Sequence, residues 1–203
     1  MRRMAVVVGL CLLVLPIAAW ADGIDLTNQY GTVTISNGGI STLGSELKSY
    51  GKVVADKGHS LGTVSFWTGA LTSGDIWSGG TFSDVGSSFI VTGVGNKGQP
   101  KGIIFSGSFV GPISWTLQSF NGKFTYVFTL SGTIQGQAWD GRTVTGTTSQ
   151  TIYVYKNQWA KDGEGGIRLG DSNLPVPEPG TLGLFGAGLI LVAGAMRRKL
   201  FGA

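Results

Sequence analysis

Cysteine is almost missing: the 203-residue chain has one, Cys11, inside an apolar run near its N-terminus. If that run is a removable leader, the rest of the protein has no thiol, which excludes disulfides, cysteine-ligated zinc and a cysteine nucleophile. Strong helix formers are scarce too. Residues 22–174 contain four Ala, two Glu and no Met, against 28 Gly, 18 Ser and 18 Thr, a composition that excludes long helices there. Excess charge is absent from the same segment, where ten Lys/Arg balance ten Asp/Glu. The net +4 of the chain comes from Arg2, Arg3, Arg197, Arg198 and Lys199, less Glu178. These basic groups flank apolar runs and do not form a nucleic-acid surface, so nucleic acid is not an expected partner.

What is present at the N-terminus is an address. Arg2 and Arg3 precede an apolar run over residues 4–15, followed by Pro16 and the small-residue step Ala18-Ala19-Trp20-Ala21. The run is too short to span about 30 Å of hydrocarbon and has the three-part layout of a secretory signal peptide. Cleavage by signal peptidase is expected after Ala21, so that residues 1–21 are removed. The residues around the arginine pair do not fit a twin-arginine signal, and general secretion is expected.

At the other end, Val176, Pro177, Glu178 and Pro179 precede an apolar stretch over residues 180–196 and the basic stop Arg197, Arg198 and Lys199. This order and spacing resembles the PEP-CTERM sorting signal of exopolysaccharide-producing Gram-negative bacteria. As a helix the stretch reaches about 26 Å, enough to cross a bilayer with snorkelling basic residues. The basic stop stays cytoplasmic and leaves the body outside. Pro177 and Pro179 keep the chain extended and present Glu178 accessibly. The resemblance implies processing by an exosortase, a membrane transpeptidase. It also implies transient lodging in the inner membrane with the body in the periplasm, then delivery to the cell surface or extracellular matrix. It covers about residues 176–200 of a sorting segment read as 175–203, the tail 200–203 running slightly past the usual ending, and assigns no activity to residues 22–174.

That body has 18 aromatics and recurrent β-branched residues in alternation, which point to an ordered all-β domain. The clearest segment is 113–120, Asn121-Gly122, then 123–130. A two-residue turn there places Trp115 opposite Phe128, Leu117 opposite Tyr126 and Ile113 opposite Leu130 on one dry face. Asp140-Gly141 is a second two-residue turn joining 133–139 to 142–148. Further strands are expected at 29–36, 47–55, 62–68, 87–92, 102–110 and 150–155, with Gly111-Pro112 turning the chain. Hairpin-linked short strands suggest an antiparallel β-sandwich or jelly roll. A β-solenoid is the alternative, weakened by the lack of a fixed period.

No catalytic, metal or cofactor set emerges. Gly93, Gly95 and Gly98 match a dinucleotide fingerprint, but a strand and not a helix follows them, so a surface loop is expected. His59 lies between Asp56 and Ser60, too close in sequence to argue for a relay, and reads as a solvated turn residue. Glu46, Asp75 and Asp84 are the carboxyls a secreted carbohydrate-active hydrolase would draw on, and they sit in plain loop contexts. Asp162, Glu164, Asp171 and Asn173 are oxygen-rich, but their spacing departs from calcium loops and reads as a linker. Among the tryptophans, Trp67, Trp77, Trp139 and Trp159 fall outside the clear alternation. Trp139, at a hairpin tip beside Arg142, is the candidate for stacking on a sugar. The expected role is that of an exported structural or adhesive protein associated with exopolysaccharide; a hydrolase is the alternative.

Overall fold

In the computed structural model the described residues are 23–120, 125–155 and 163–175. They form β1 (Gly23–Gln29), β2 (Thr32–Ser36), β3 (Gly39–Tyr50), β4 (Val53–Val54), β5 (Gly62–Trp67), β6 (Leu71–Asp75), β7 (Gly79–Phe82), β8 (Ser88–Val94), β9 (Lys101–Phe120), β10 (Thr125–Ala138), β11 (Thr143–Tyr155) and β12 (Glu164–Pro175), with no helix among them. Pairing is antiparallel along β10-β11-β12-β1-β3-β5-β8-β9, and a further pairing of β9 with β10 joins the two ends of that path. The body is therefore a closed eight-stranded β-barrel, which corrects the expectation of a sandwich or jelly roll and of the solenoid alternative. Closure leaves no free edge among the eight staves.

β2 continues the line of β1 past a kink at Tyr30 and Gly31, both with positive φ, and pairs with the same neighbours, β12 and β3. β6 and β7 form a hairpin whose β7 strand pairs with the second half of β9. Gly111-Pro112 lies within β9 and does not end it. Gly111 has φ +76°, its N–H donates to Asp84 Oδ2 at 2.7 Å, and β9 changes partner there from β8 to β7. Proline, having no N–H, is tolerated in a strand at such an irregularity.

Two expected registers are also corrected. Trp115 pairs with Leu130, Leu117 with Phe128 and Phe120 with Tyr126, a slip of two from the two-residue-turn register for Trp115 and Leu117. A slip of two keeps each side chain on its face. Trp115 still stacks on Phe128, centroids 4.3 Å apart, across the diagonal that aromatics can span. Asn121 and Gly122 lie outside the described residues. At the other hairpin Ala138 N–H donates to Arg142 O, which leaves residues 139–141 as a three-residue loop with Gly141 at φ +80°, the left-handed position such loops require. The segment read as a linker is β12, whose inward residues Ile167, Ser172 and Leu174 are buried.

The barrel interior has two characters. Phe66, Phe89, Phe105 and Phe109 pack with centroids between 5.9 and 6.3 Å on the β5, β8 and β9 side. On the β1, β3, β11 and β12 side the buried set includes Asn28, Ser45, Thr148, Gln150 and Ser172. Asn28 Nδ2 donates to Ser45 Oγ (2.8 Å) and Gln150 Oε1 (3.0 Å), and Gln150 Nε2 donates to Thr148 Oγ1 (2.9 Å). Thr148 Oγ1 in turn shares a hydrogen bond with Ser172 Oγ at 2.8 Å.

Candidate functional site

Because side chains alternate across a strand, the polar residues of β9 to β12 that do not enter the barrel line its outer wall. β11 alternates without a break: Val144, Gly146, Thr148, Gln150, Ile152 and Val154 face in, and Thr143, Thr145, Thr147, Ser149 and Thr151 face out. Cross-strand pairing aligns these outward groups into rows. One runs Ser114, Ser131, Ser149, Asp171, Thr27 and Ser49 across β9, β10, β11, β12, β1 and β3. The next runs Thr133, Thr147, Asn173 and Asp25. Thr27 Oγ1 and Ser49 Oγ share a hydrogen bond at 2.7 Å, and Asn173 Nδ2 donates to Asp25 Oδ1 at 2.5 Å.

Seven residues of the two rows, from Ser114 to Asp171 in the first and from Thr133 to Asn173 in the second, line an open groove together with Pro112, Gly132 and Thr148. Glycine is required beside the groove: a Cβ at Gly132 would meet Phe109 Cδ1 at 2.9 Å, and one at Gly146 would fall on the Asn173 carbonyl. The lining side chains are hydroxyl, amide and carboxylate apart from Pro112, with no aromatic ring and no histidine. Such a surface offers hydrogen bonds to a hydroxyl-rich ligand. Neither Asp25 nor Asp171, the carboxylates of the two rows, is buried. None of the groove residues stands out in the chain. The only trace is the run of alternating threonines at 143–147, and the row that contains Thr147 reaches as far away as residue 25.

The residues singled out earlier are scattered. Trp139 is 56% exposed at the β10–β11 turn, about 20 Å along β10 from Thr133 at the usual rise per residue. Its backbone N–H donates to Ile104 O (2.8 Å) and its side chain hydrogen-bonds Tyr50. Burial pushes the Tyr50 hydroxyl above its usual range, opposed by the Trp139 hydrogen bond and helped by the charge of Asp140. Trp67 Nε1 donates to Gly86 O (2.7 Å), Trp77 is half-exposed at the β6–β7 turn, and Trp159 lies outside the described residues.

His59 is exposed, its N–H donating to Asp56 O (2.9 Å), while the Asp56 carboxylate pairs with Lys97 (2.6 Å) and is held below the usual range by that contact. Gly93, Gly95 and Gly98 lie at the end of β8 and in the loop that leads into β9. Glu46 pairs with Lys48, Asp75 accepts from the Trp77 and Ser78 N–H groups, and Asp84 holds Gly111; the three do not converge. Among the described residues no group of His, Cys, Asp and Glu could hold a metal ion.

Arg142 Nε donates to Asp140 Oδ2 at 2.6 Å and its backbone N–H to Asp140 Oδ1 at 3.1 Å, which together hold that carboxyl below its usual range. A lowered folded value means that any contribution to the turn is present above the unfolded value and is lost as pH falls through the folded one. Carboxyl NMR titration of Arg142→Ala is expected to move Asp140 up towards the ordinary carboxylate range; an unmoved midpoint would discount the guanidinium.

Val176, Pro177, Glu178, Pro179 and the basic stop Arg197, Arg198 and Lys199 lie outside the described residues. A family model of the PEP-CTERM protein-sorting motif matches residues 175–199, a span that contains all seven. The chain carries a PEP-CTERM sorting motif. This motif marks an exported protein with a C-terminal membrane-anchored sorting signal, processed by an exosortase. No curated protein and no solved structure matches the chain. No helix among the described residues is long and apolar enough to cross a membrane.

Proposed function

We propose that this PEP-CTERM protein delivers its barrel to the cell surface or extracellular matrix, where the barrel has a structural or adhesive role and associates with exopolysaccharide through the groove on β9 to β12. The observation that carries this reading is the alignment of Ser114, Ser131, Ser149, Asp171, Thr27 and Ser49 in one row beside Thr133, Thr147, Asn173 and Asp25. A repeating polymer of hydroxyls meets a repeating lattice of hydroxyls, so weak bonds of about 1 kcal/mol each act together. The open form of the groove and the exposure of Asp25 and Asp171 favour binding over hydrolysis, which needs a general acid held in a protected cleft. Trp139 offers a separate stacking face at the barrel end.

Retention on the producer's own exopolysaccharide tests the reading. Ser131→Ala, Thr147→Val and Ser149→Ala together remove three outward hydroxyls and are expected to weaken retention about a hundredfold, at about 1 kcal/mol for each lost bond. Stability should stay within about 0.5 kcal/mol per surface site. Equal retention of the triple variant and the parent chain would remove the groove from the account.

A further inference from the structure

The barrel body is neutral, and exposed lysines cluster at one of its rims. β3, β8, β10 and β12 end at one rim and β1, β5, β9 and β11 begin there, so Gly23 and Pro175 share that rim and are paired. Lys52, Lys57, Lys97 and Lys101 are all exposed on the two connections at 51–61 and 94–101. The connections are tied together: Lys97 Nζ pairs with Asp56 at 2.6 Å and donates to Val54 O at 3.4 Å, and Gln99 Nε2 donates to Leu61 O at 3.0 Å. Lys52, Lys57 and Lys101 have no ion-pair partner among the described residues. The acids at this rim are engaged, Asp56 by Lys97, Asp140 by Arg142 and Asp25 by Asn173. Between the lysines stand exposed apolar side chains, Val54 at 65%, Val94 at 50% and Ile103 at 58%. Of the connections at the opposite rim, 30–38 and 68–87 carry Asp75 and Asp84 and no lysine or arginine, while the sequence has Lys123 between β9 and β10 and Lys156 and Lys161 between β11 and β12.

We infer that this rim docks on an anionic lipid surface while the C-terminal segment still holds the chain. Lysines interleaved with aliphatic side chains suit a headgroup layer, where the stems lie on apolar surface and the ammonium groups meet lipid phosphates. Lipid is the occupant favoured by chain continuity, because the last described strand ends at Pro175 on this rim and the sorting motif begins at residue 175. A tethered surface is met at high effective concentration, so a modest attraction suffices. Each lysine near an anionic surface is worth about a factor of five, and the three unpaired ones together about a hundredfold. The rows of the proposed sugar groove share Asp25 and Asn173 with this rim but none of its lysines, so failure of that reading leaves this one standing.

The test uses the full chain with Cys11→Ser and a single introduced thiol, Val54→Cys at this rim or Val85→Cys at the other, labelled with an environment-sensitive fluorophore. The chain is reconstituted into vesicles of phosphatidylcholine alone or of equal parts phosphatidylcholine and phosphatidylglycerol. The Val54 probe should shift to the blue and be quenched by headgroup spin labels only in the mixed vesicles, reversibly with salt, while the Val85 probe stays silent. Lys52→Glu, Lys57→Glu and Lys101→Glu together should reduce the ratio of docked to undocked chain by about a hundredfold or more at unchanged circular dichroism. Equal responses of the two probes, equal responses in both vesicle types, or a response that survives the triple charge reversal would overturn the inference. So would a Val54 probe that ignores both vesicles and responds to the producer's exopolysaccharide.

Discussion

Trp115→Ala is expected to destabilise the barrel by about 3–5 kcal/mol, the range for truncating a large buried aromatic ring. Trp115 is 1% exposed and stacks on Phe128 with centroids 4.3 Å and planes 4° apart. Its indole N–H reaches out of the apolar layer to the Ile76 carbonyl at 2.9 Å. One side chain thus joins the β9–β10 pairing that closes the barrel to the turn of the β6–β7 hairpin. Trp115→Phe separates the two contributions: it keeps most of the stacking and loses the hydrogen bond, whose net worth is about 0.5–1.5 kcal/mol, besides some packing. Urea unfolding followed by far-ultraviolet circular dichroism measures both variants. An alanine variant within about 1 kcal/mol of the parent would mean that the closing pair of strands does not depend on this ring.

The strand class, the C-terminal sorting motif and the inward set of β9 and β10 were legible because each is local. Alternation of Ile113, Trp115 and Leu117 against Phe128 and Leu130 fixes which face is dry, and it survives the slip of two in register. Closure was not legible, since inward and outward alternation is the same in two packed sheets and in one sheet joined to itself. What favours the barrel is where glycine faces glycine. Gly107 lies opposite Gly136, and a Cβ on either would strike the partner strand's backbone, so β9 and β10 approach there more closely than side chains would permit. In the chain these residues are two among many glycines. The groove was illegible for a related reason: its rows gather single serines and threonines from six strands, and no one of them differs from its neighbours in the sequence.

Asn28→Leu is expected to cost about 2–4 kcal/mol although it replaces a polar core residue by an apolar one. The amide of Asn28 supplies hydrogen bonds to Ser45 Oγ and Gln150 Oε1, and its own Oδ1 accepts from Gln150 Nε2 at 3.3 Å. Removing it leaves Gln150, fully buried, with an oxygen that has lost its donor, and a buried group without a partner costs about 1–3 kcal/mol. Asn28→Leu with Gln150→Met removes both ends of the bond and should recover most of the loss, so a double-mutant cycle should give a coupling of about 1.5–3 kcal/mol. Additive effects would mean that the two amides are not a unit. The recovered stability raises the question of why the polar pair is present. Asn28 and Gln150 are 122 positions apart, on β1 and β11, and β12 lies between those strands with Gly170 beneath both amides. A Cβ at Gly170 would fall on Asn28 Oδ1 and Gln150 Oε1. The pair therefore fits only one register of three strands, whereas leucine and methionine would accept a slip. If register specification is its role, the double variant should remain stable yet show more than one set of amide signals for β1, β11 and β12; one sharp native set would assign the pair to stability alone.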